Sequence, residues 1–297
     1  MSTLKSLLGP MRLPFLLLTP ACVAVGVGTA YHQTGSLNWV HVFLVLIGAL
    51  AAHISVNAFN EYFDFRSGLD ARTQRTPFSG GSGTLPAQPE LAKPTLALAW
   101  TTFVIAAVIG LYFVILRGWG LLPLGLLGLL LLVTYTIWWA YNPILCLIAP
   151  GLGFGILMVM GTHFALTGTY TWTAFVASLA PTFLVSDLLL LNQFPDVEAD
   201  RSIGRRHLPI TLGRRASARI YITLLALAYL SILAGALLGL LPAWSLIALL
   251  TAVLALQAGR GALRNAENIP ALIPSMGQNV LINLLTPVLV AVGLFLA

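Results

Sequence analysis

Two short segments of the sequence concentrate the side chains that could bind a cation. The first runs from Asn57 to Asp70 and the second from Asn192 to Arg201. Together they hold six of the nine acidic residues of the chain: Glu61, Asp64, Asp70, Asp196, Glu198 and Asp200. Carboxylate oxygens in this number suit Mg²⁺, which combines a few carboxylates with the phosphate groups of a substrate. The segments therefore predict a site where divalent cations hold an anion.

Both acidic segments follow long apolar stretches, so they are expected at the ends of helices. Residues four apart on a helix share one face. This spacing joins Asn60 to Asp64, and it joins Asn192 to Asp196 and Asp200. The pattern predicts two carboxylate faces at the ends of two helices.

The composition is that of an integral membrane protein. Of the 297 residues, 58% are hydrophobic and 8% are charged, whereas soluble proteins have about 25% charged residues. The net charge of +6 lies in a few short polar segments, so we do not expect nucleic-acid binding. Cys22 and Cys146 lie in apolar stretches and are expected to be inert thiols.

Nine stretches are long and apolar enough to predict membrane-spanning helices. They cover residues 13–31, 39–59, 95–116, 119–137, 144–166, 172–193, 217–239, 242–259 and 277–297. With the N-terminus in the cytoplasm, all of the 15 lysines and arginines except Arg117 fall on the cytoplasmic side, as membrane topology favours. The predicted fold is an all-α bundle of nine membrane helices around a central cavity.

The chain is expected to form one polytopic domain over residues 1–297. Asn60 and Asn192 are separated by the same interval as Asp64 and Asp196. This indicates a possible internal repeat with four-helix halves at 1–140 and 141–260 and a last helix at 276–297. Such repeats would bring both acidic segments to the mouth of one cavity.

The loop over residues 72–86 is rich in glycine and serine, so its backbone N–H groups could approach phosphate oxygens. A flexible connector would have the same composition. The loop that follows the second acidic segment is strongly basic.

These motifs resemble the UbiA superfamily of intramembrane prenyltransferases. The resemblance rests on Asn60-xxx-Asp64 with Asp70, on the second motif from Asn192 to Arg205, and on the segment 208–213 (Leu-Pro-Ile-Thr-Leu-Gly), and it covers nearly the whole chain. It implies a site with two Mg²⁺ ions that bind a polyprenyl diphosphate. The prenyl group is then transferred to an acceptor, often an aromatic ring.

The resemblance implies a role for each motif residue. The expected metal ligands are Asp64, Asp70, Asp196 and Asp200, supported by Asn60 and Asn192. The expected diphosphate contacts are Asn60, Arg66, Arg72, Arg75, Asn192, Arg201 and Arg205. Asp64 and Asp196 are expected to be essential for catalysis.

The first motif departs from the common family spacing, because Gly68 stands where the next aspartate is usual and the acid is Asp70. Gly68 is expected to end the helix so that the loop returns Asp70 to the site. The longer spacing and Asn57 resemble the branch that acts on 1,4-dihydroxy-2-naphthoate in menaquinone synthesis. A basic residue that many members carry after the proline of the fifth helix is absent between Pro143 and Gly151.

Three polar side chains within the predicted spans have open roles. Asp187 could orient an acceptor hydroxyl or take a ring proton, or it could be a packing residue. Tyr135 could stabilise an allylic cation through its ring, or it could be an interfacial aromatic. His53 could be a base or acceptor ligand, or a satisfied core histidine. His163, Gln278, Asn279 and Asn283 are expected to form interhelical hydrogen bonds.

The sequence therefore predicts Mg²⁺-dependent transfer of a polyprenyl group to an aromatic acceptor in quinone synthesis, with 1,4-dihydroxy-2-naphthoate favoured. The alternatives are another UbiA-type transfer, to 4-hydroxybenzoate, a chlorophyll or haem tail or a lipid glycerol, and terpene cyclisation. A secondary transporter is a further alternative, but its charges should lie near the midplane. The expected location is a prokaryotic inner membrane, with the site open to the cytoplasm.

Overall fold

The structure is a computed structural model that describes residues 6–297, and these residues contain helices and no strand. Lys5, one of the basic residues that orient the predicted topology, lies outside this range. The principal helices are α1 Leu18–Thr34, α2 Trp39–Ser67, α3 Ala92–Arg117, α4 Leu122–Thr134, α5 Pro143–Thr167, α6 Trp172–Asn192, α7 Arg214–Leu237, α8 Ala243–Asn265 and α9 Ile269–Phe295.

Eight of the apolar helices in residues 6–297 are long enough to cross a membrane, and α4 is a shorter apolar helix. The prediction of an all-α membrane bundle is confirmed. The 13 residues of α4 span about 20 Å, less than the hydrocarbon thickness of a bilayer. α4 is short because the chain leaves the helix at Tyr135 and turns through a 3-10 segment at Trp139–Tyr141 before α5 begins.

Two helices extend well beyond their predicted limits. α2 continues to Ser67 and so carries the part of the first acidic motif from Asn57 to Asp64 on a continuous helix. α9 begins at Ile269 instead of residue 277, with Asn268 accepting a hydrogen bond from the N–H of Ala271. Pro270 stands at the first turn, where its missing N–H costs nothing.

The end of α2 confirms the expected role of Gly68. This glycine has a φ of 78°, and its N–H bonds to the carbonyl of Phe65 while the N–H of Leu69 bonds to that of Asp64. This is the Schellman arrangement, which needs a left-handed residue after the helix. The chain reverses there and brings Asp70 back towards the helix end.

The second acidic motif does not lie on one helix, so the prediction of a single face for Asn192, Asp196 and Asp200 is wrong. α6 ends at Asn192, a turn covers residues 193–196, and a short helix follows at Val197–Ser202. Pro195 lies in this turn, and a proline cannot supply the N–H that a continuous helix would need.

The contact between α5 and α6 depends on small residues. A Cβ atom on Gly155 would lie 2.0 Å from Oγ1 and 2.5 Å from the backbone N of Thr182. Close backbone approach through glycine is a common way to pack membrane helices. Gly153, two residues earlier, has no atom within 4 Å of such a Cβ and faces the central cavity.

These two glycines predict opposite responses to the same substitution. Gly155→Ala should lower the melting temperature of the detergent-purified protein, because overpacking a helix contact costs about 1–3 kcal/mol. Gly153→Ala is the matched control and should leave the melting temperature unchanged or raise it slightly. Equal melting temperatures for the two variants would contradict the α5–α6 packing.

Candidate functional site

A cavity of about 660 Å³ runs through the centre of the bundle. Residues of α1 to α6 line it, and along α2 the lining extends from Asp64 to Val45. At 1.5 Å per residue this corresponds to about 28 Å, close to the hydrocarbon thickness of a bilayer. The cavity thus joins one end of the bundle to its apolar interior.

The polar end of the cavity collects most of the predicted site residues. Those that line it are Asn60, Asp64, Asp70, Tyr135, Asn192, Asp196, Asp200 and Arg205. They come from the ends of α2 and α6, from the turn after α4 and from the loops after α2 and α6. The site is therefore built from helix ends and loops and not from the face of a single helix.

Arg205 connects the two acidic motifs. Its Nη1 donates to Oδ1 of Asp200 at 2.8 Å, and its Nη2 donates to Oδ1 of Asp64. On the far side of Asp200, His207 Nε2 lies 3.0 Å from Oδ2. His207 is 1% exposed, so it fixes the Asp200 carboxylate from behind. Sequence reasoning treated His207 only as part of a basic loop.

Arg12 is a site residue that the sequence reasoning missed. Its Nε donates to Oε1 of Glu61 at 2.8 Å and its Nη2 donates to Oδ1 of Asn60 at 2.9 Å, and it lines the cavity. Arg12 has a φ of 52°, a left-handed conformation that non-glycine residues seldom adopt. Pro10 and Pro14 on either side are the signal that could have marked an irregular chain there, whereas the sequence analysis used this arginine only to orient the bundle.

Glu61 ties the glycine-rich loop to the site. It is fully buried, and its carboxylate accepts hydrogen bonds from both the backbone N and the Oγ of Ser82 at 2.7 Å. A Cβ on Gly81 would lie 3.3 Å from carboxylate oxygens of both Glu61 and Asp70. The loop over residues 72–86 is therefore a cover held against the carboxylates, and Glu61 is its anchor.

Four of the predicted diphosphate contacts do not line the cavity. Arg72 donates to Ser202 at 3.0 Å, Arg201 pairs with Glu198 at 3.0 Å, and Arg66 is exposed. Arg75 packs its guanidinium against Gly83. Among the described arginines, only Arg12 and Arg205 reach the cavity.

Asp187 also lies away from the cavity. It is fully buried between α6 and α9, where its Oδ1 accepts a hydrogen bond from Asn279 Nδ2 at 2.9 Å. The geometry supports a packing role for Asp187, whereas Tyr135 does line the cavity. Interhelical hydrogen bonds are confirmed for Asn279, for His163 with Thr29 and for Gln278 with Gln257; Asn283 bonds within α9.

The polar end is short of positive charge. Burial, together with the charges of Glu61 and Asp64, raises the pKa of Asp70 to about 7. Burial and the charge of Asp200 likewise raise the pKa of Asp196 to about 7. Burial acts in the same direction on Asp200, but the hydrogen bond from His207 and the charge of Arg205 outweigh it and lower its pKa. Two arginines do not neutralise the whole set of carboxylates.

The donor atoms suit a hard divalent cation. Three oxygens at the polar end of the cavity are buried without a hydrogen-bond partner: Asp70 Oδ2, Asn192 Oδ1 and Asp196 Oδ1. Within residues 6–297, no group of three His, Cys, Asp or Glu side chains is placed to hold an ion as the side chains stand. The Arg205 guanidinium instead bridges Asp64 and Asp200. The bridge occupies Oδ1 of Asp64 and Oδ1 of Asp200, so a cation that used either of these two oxygens would displace Arg205 from it.

The UbiA prenyltransferase family matches residues 18–273. The chain is 27% identical to the 1,4-dihydroxy-2-naphthoate octaprenyltransferase of Bacillus subtilis over 94% of this chain and 89% of that protein. A UbiA homologue from Aeropyrum pernix K1, solved in its apo form, superposes with a TM-score of 0.73 at 18% identity, over 95% of this chain and 98% of that one. A UbiA homologue from Archaeoglobus fulgidus bound to GPP and Mg²⁺ has a TM-score of 0.65 at 13% identity, over 96% and 99%.

Arg205 and Arg201 offer a matched test of the charge balance. Arg205→Gln should lower the melting temperature in metal-free buffer by several degrees, because breaking a buried ion pair costs about 3 kcal/mol. Added Mg²⁺ should raise the melting temperature of this variant more than that of the wild type. Arg201→Gln removes an exposed pair worth less than about 1 kcal/mol and should change neither value. A variant Arg205→Gln that behaves like Arg201→Gln would refute the bridge.

Proposed function

The chain belongs to the UbiA prenyltransferase family and is an intramembrane prenyltransferase. We propose that it transfers a polyprenyl group from a polyprenyl diphosphate to 1,4-dihydroxy-2-naphthoate in menaquinone synthesis. The observation that carries this proposal is the two-part cavity. Its polar end holds carboxylates and two arginines, and its remaining length is apolar except for Asn57, His53 and Thr162. A polyprenyl diphosphate has the same division into a charged head and a long apolar tail.

The polar end would bind the diphosphate. We assign Mg²⁺, as two ions, to Asp64, Asp70, Asp196 and Asp200 with Asn60 and Asn192, and the bound cations would neutralise charge on the departing diphosphate. Arg205 and Arg12 are the two described guanidinium groups that reach this part of the cavity, so we assign the remaining diphosphate contacts to them. Arg205 would exchange a carboxylate partner for a phosphate oxygen, a strong charge-assisted contact.

The reaction that this arrangement supports begins at the prenyl carbon bonded to the diphosphate. The carbon–oxygen bond breaks, both electrons leave with the diphosphate, and an allylic cation remains. One carbon of an electron-rich ring attacks the cation. That carbon then restores the aromatic ring, either by giving its proton to a diphosphate oxygen or water or, where it carries the carboxylate, by releasing CO2. Tyr135 lines this part of the cavity, and its ring face could stabilise the cation. The apolar walls exclude the water that would otherwise trap it.

The naphthoate acceptor is inferred from the named relatives. The Bacillus subtilis protein is named for prenylation of 1,4-dihydroxy-2-naphthoate, and the Archaeoglobus fulgidus homologue was solved with GPP and Mg²⁺. We further propose that the chain lies in a bacterial inner membrane with its carboxylate end facing the cytoplasm, which is the orientation that the basic loops favour.

Mg²⁺-dependent diphosphate release by the purified protein tests the reaction. With a polyprenyl diphosphate and 1,4-dihydroxy-2-naphthoate, the wild type should release diphosphate and form the prenylated ring, and EDTA should abolish both. Asp64→Asn and Asp196→Asn should each reduce the rate about a hundredfold or more, since each removes charge that supports the leaving group.

Glu198→Gln is the matched control and should retain the wild-type rate, because Glu198 is an exposed acid of the second motif that does not line the cavity. Product with 4-hydroxybenzoate and none with the naphthoate would overturn the choice of acceptor. Diphosphate release without any acceptor would indicate hydrolysis or cyclisation instead of transfer.

The depth of the cavity predicts where a long tail would lie. Gly110 on α3 lines the cavity and has no atom within 4 Å of its Cβ position. Ile109 beside it packs against Gly48, which lies about 24 Å along α2 from Asp64. Gly110→Trp should therefore exclude long donors while it leaves geranyl diphosphate a substrate.

The control is Val108→Trp, since Val108 is on the same helix but is 60% exposed and does not line the cavity. The measurement is kcat/KM for donors of two and of eight isoprene units. The ratio should fall at least about tenfold in Gly110→Trp and stay unchanged in Val108→Trp. An unchanged ratio in both variants would exclude this path for the tail.

A further inference from the structure

Two polar side chains interrupt the cavity wall below the carboxylates. Asn57 and His53 lie one turn apart on α2, and both line the cavity although they are only 9% and 6% exposed. Towards the far end of the cavity, the walls that α3, α4 and α5 contribute are apolar among the described residues, apart from Thr162. Tyr135 and Cys146 also line the cavity, but they lie near its mouth. A polar pair in this position is conspicuous because burying polar groups is unfavourable unless they are hydrogen-bonded.

Each of the two side chains is fixed on one side by the N-terminal part of the chain. Asn57 Nδ2 donates to the carbonyl of Met11 at 3.0 Å. His53 Nδ1 lies 2.8 Å from the hydroxyl of Thr19, which is itself fully buried. The His53 ring also packs edge-on against Phe154, with ring centroids 4.7 Å apart. Both side chains are therefore held in one orientation before any ligand arrives.

The other polar atom of each side chain is left for a ligand. Asn57 Oδ1 and His53 Nε2 form no hydrogen bond with any part of the chain that the structure describes. With Nδ1 donating to Thr19, His53 Nε2 accepts a hydrogen bond; with the other tautomer, it donates one. A hydroxyl group can satisfy either form, because it both donates and accepts.

Neither half of a polyprenyl diphosphate matches this pair. Asn57 and His53 lie about 10 Å and 16 Å along α2 from Asp64, which places them below a diphosphate held by the carboxylates. The tail is a hydrocarbon and offers no hydrogen bond. The pair instead suits a second, polar molecule that lies beside the start of the tail.

We propose that Asn57 and His53 form the acceptor subsite and recognise the two para-related hydroxyls of a dihydroxyarene. This inference rests on the proposed prenyl transfer and adds the residues that select the acceptor. Residues one turn apart on a helix have Cβ atoms about 5–6 Å apart, a separation comparable to the width of an aromatic ring. One ring hydroxyl donates to Asn57 Oδ1 and the other bonds to His53 Nε2. Thr19 is a positioning residue that acts through His53.

Acceptors that lack one hydroxyl test this assignment. The wild type should use 1,4-dihydroxy-2-naphthoate with a kcat/KM about ten- to a hundredfold above that for 1-hydroxy-2-naphthoate or 4-hydroxy-2-naphthoate, because each analogue leaves one buried polar group unpaired. His53→Phe should remove the discrimination against one analogue, and Asn57→Leu should remove the discrimination against the other.

Thr19→Val keeps the side-chain volume but releases the His53 ring, so it should weaken the same discrimination as His53→Phe to a smaller extent. Ser55→Ala is the matched control: Ser55 lies between the two residues on α2 but bonds to the carbonyl of Ala99 at 2.9 Å, away from the cavity. This control should keep the discrimination of the wild type. The KM for the prenyl diphosphate should not change in any of the four variants.

Two results would overturn the proposal. If His53→Phe and Asn57→Leu slow all three acceptors equally, the residues only brace α2 against the N-terminal helix. If both variants keep the wild-type ratios, the acceptor binds elsewhere. Failure of the proposed function would differ from both, since the wild type would then prenylate none of the rings.

Discussion

The polar end of this protein depends on balancing buried carboxylates with a small amount of positive charge. Asp64 and Asp200 come from segments more than a hundred residues apart, yet one guanidinium, that of Arg205, bonds to both. Two like charges brought together without a counterion would repel, and burial would increase the cost. Arg205 therefore joins the two halves of the site. It also holds the carboxylates together at the place proposed to bind Mg²⁺ and the diphosphate.

The same constraint explains the surroundings of the site. Arg12 neutralises Glu61, which in turn holds the glycine-rich loop through Ser82. His207 supports Asp200 from behind. Glu61, the buried carboxylate of this group that is not assigned to the metal, thus fixes a neighbouring segment. At the polar end, the carboxylates that keep unpartnered oxygens are Asp70 and Asp196, and burial together with neighbouring acids raises the pKa of each to about 7.

Below the carboxylates the lining of the cavity changes from charged to apolar within about three helical turns. The wall of α2 passes from Asp64 and Asn60 to the tethered pair Asn57 and His53, and then to small apolar residues as far as Val45. A charged head, a hydroxylated ring and a hydrocarbon tail would each meet a matching part of this single helix. Because α2 is continuous over all these residues, its register fixes their relative depths.

The sequence alone determined the membrane class and the helical fold and located the two acidic motifs, because hydropathy, charge and residue type are local properties. It also predicted the helix end at Gly68, since a left-handed residue there is a local requirement. Only the tertiary structure decided which polar residues meet. It placed Arg12 in the site, left Arg66, Arg72, Arg75 and Arg201 outside the cavity lining and turned Asp187 towards Asn279. These outcomes depend on how helices pack and where loops return, and no spacing within one segment of the chain specifies that.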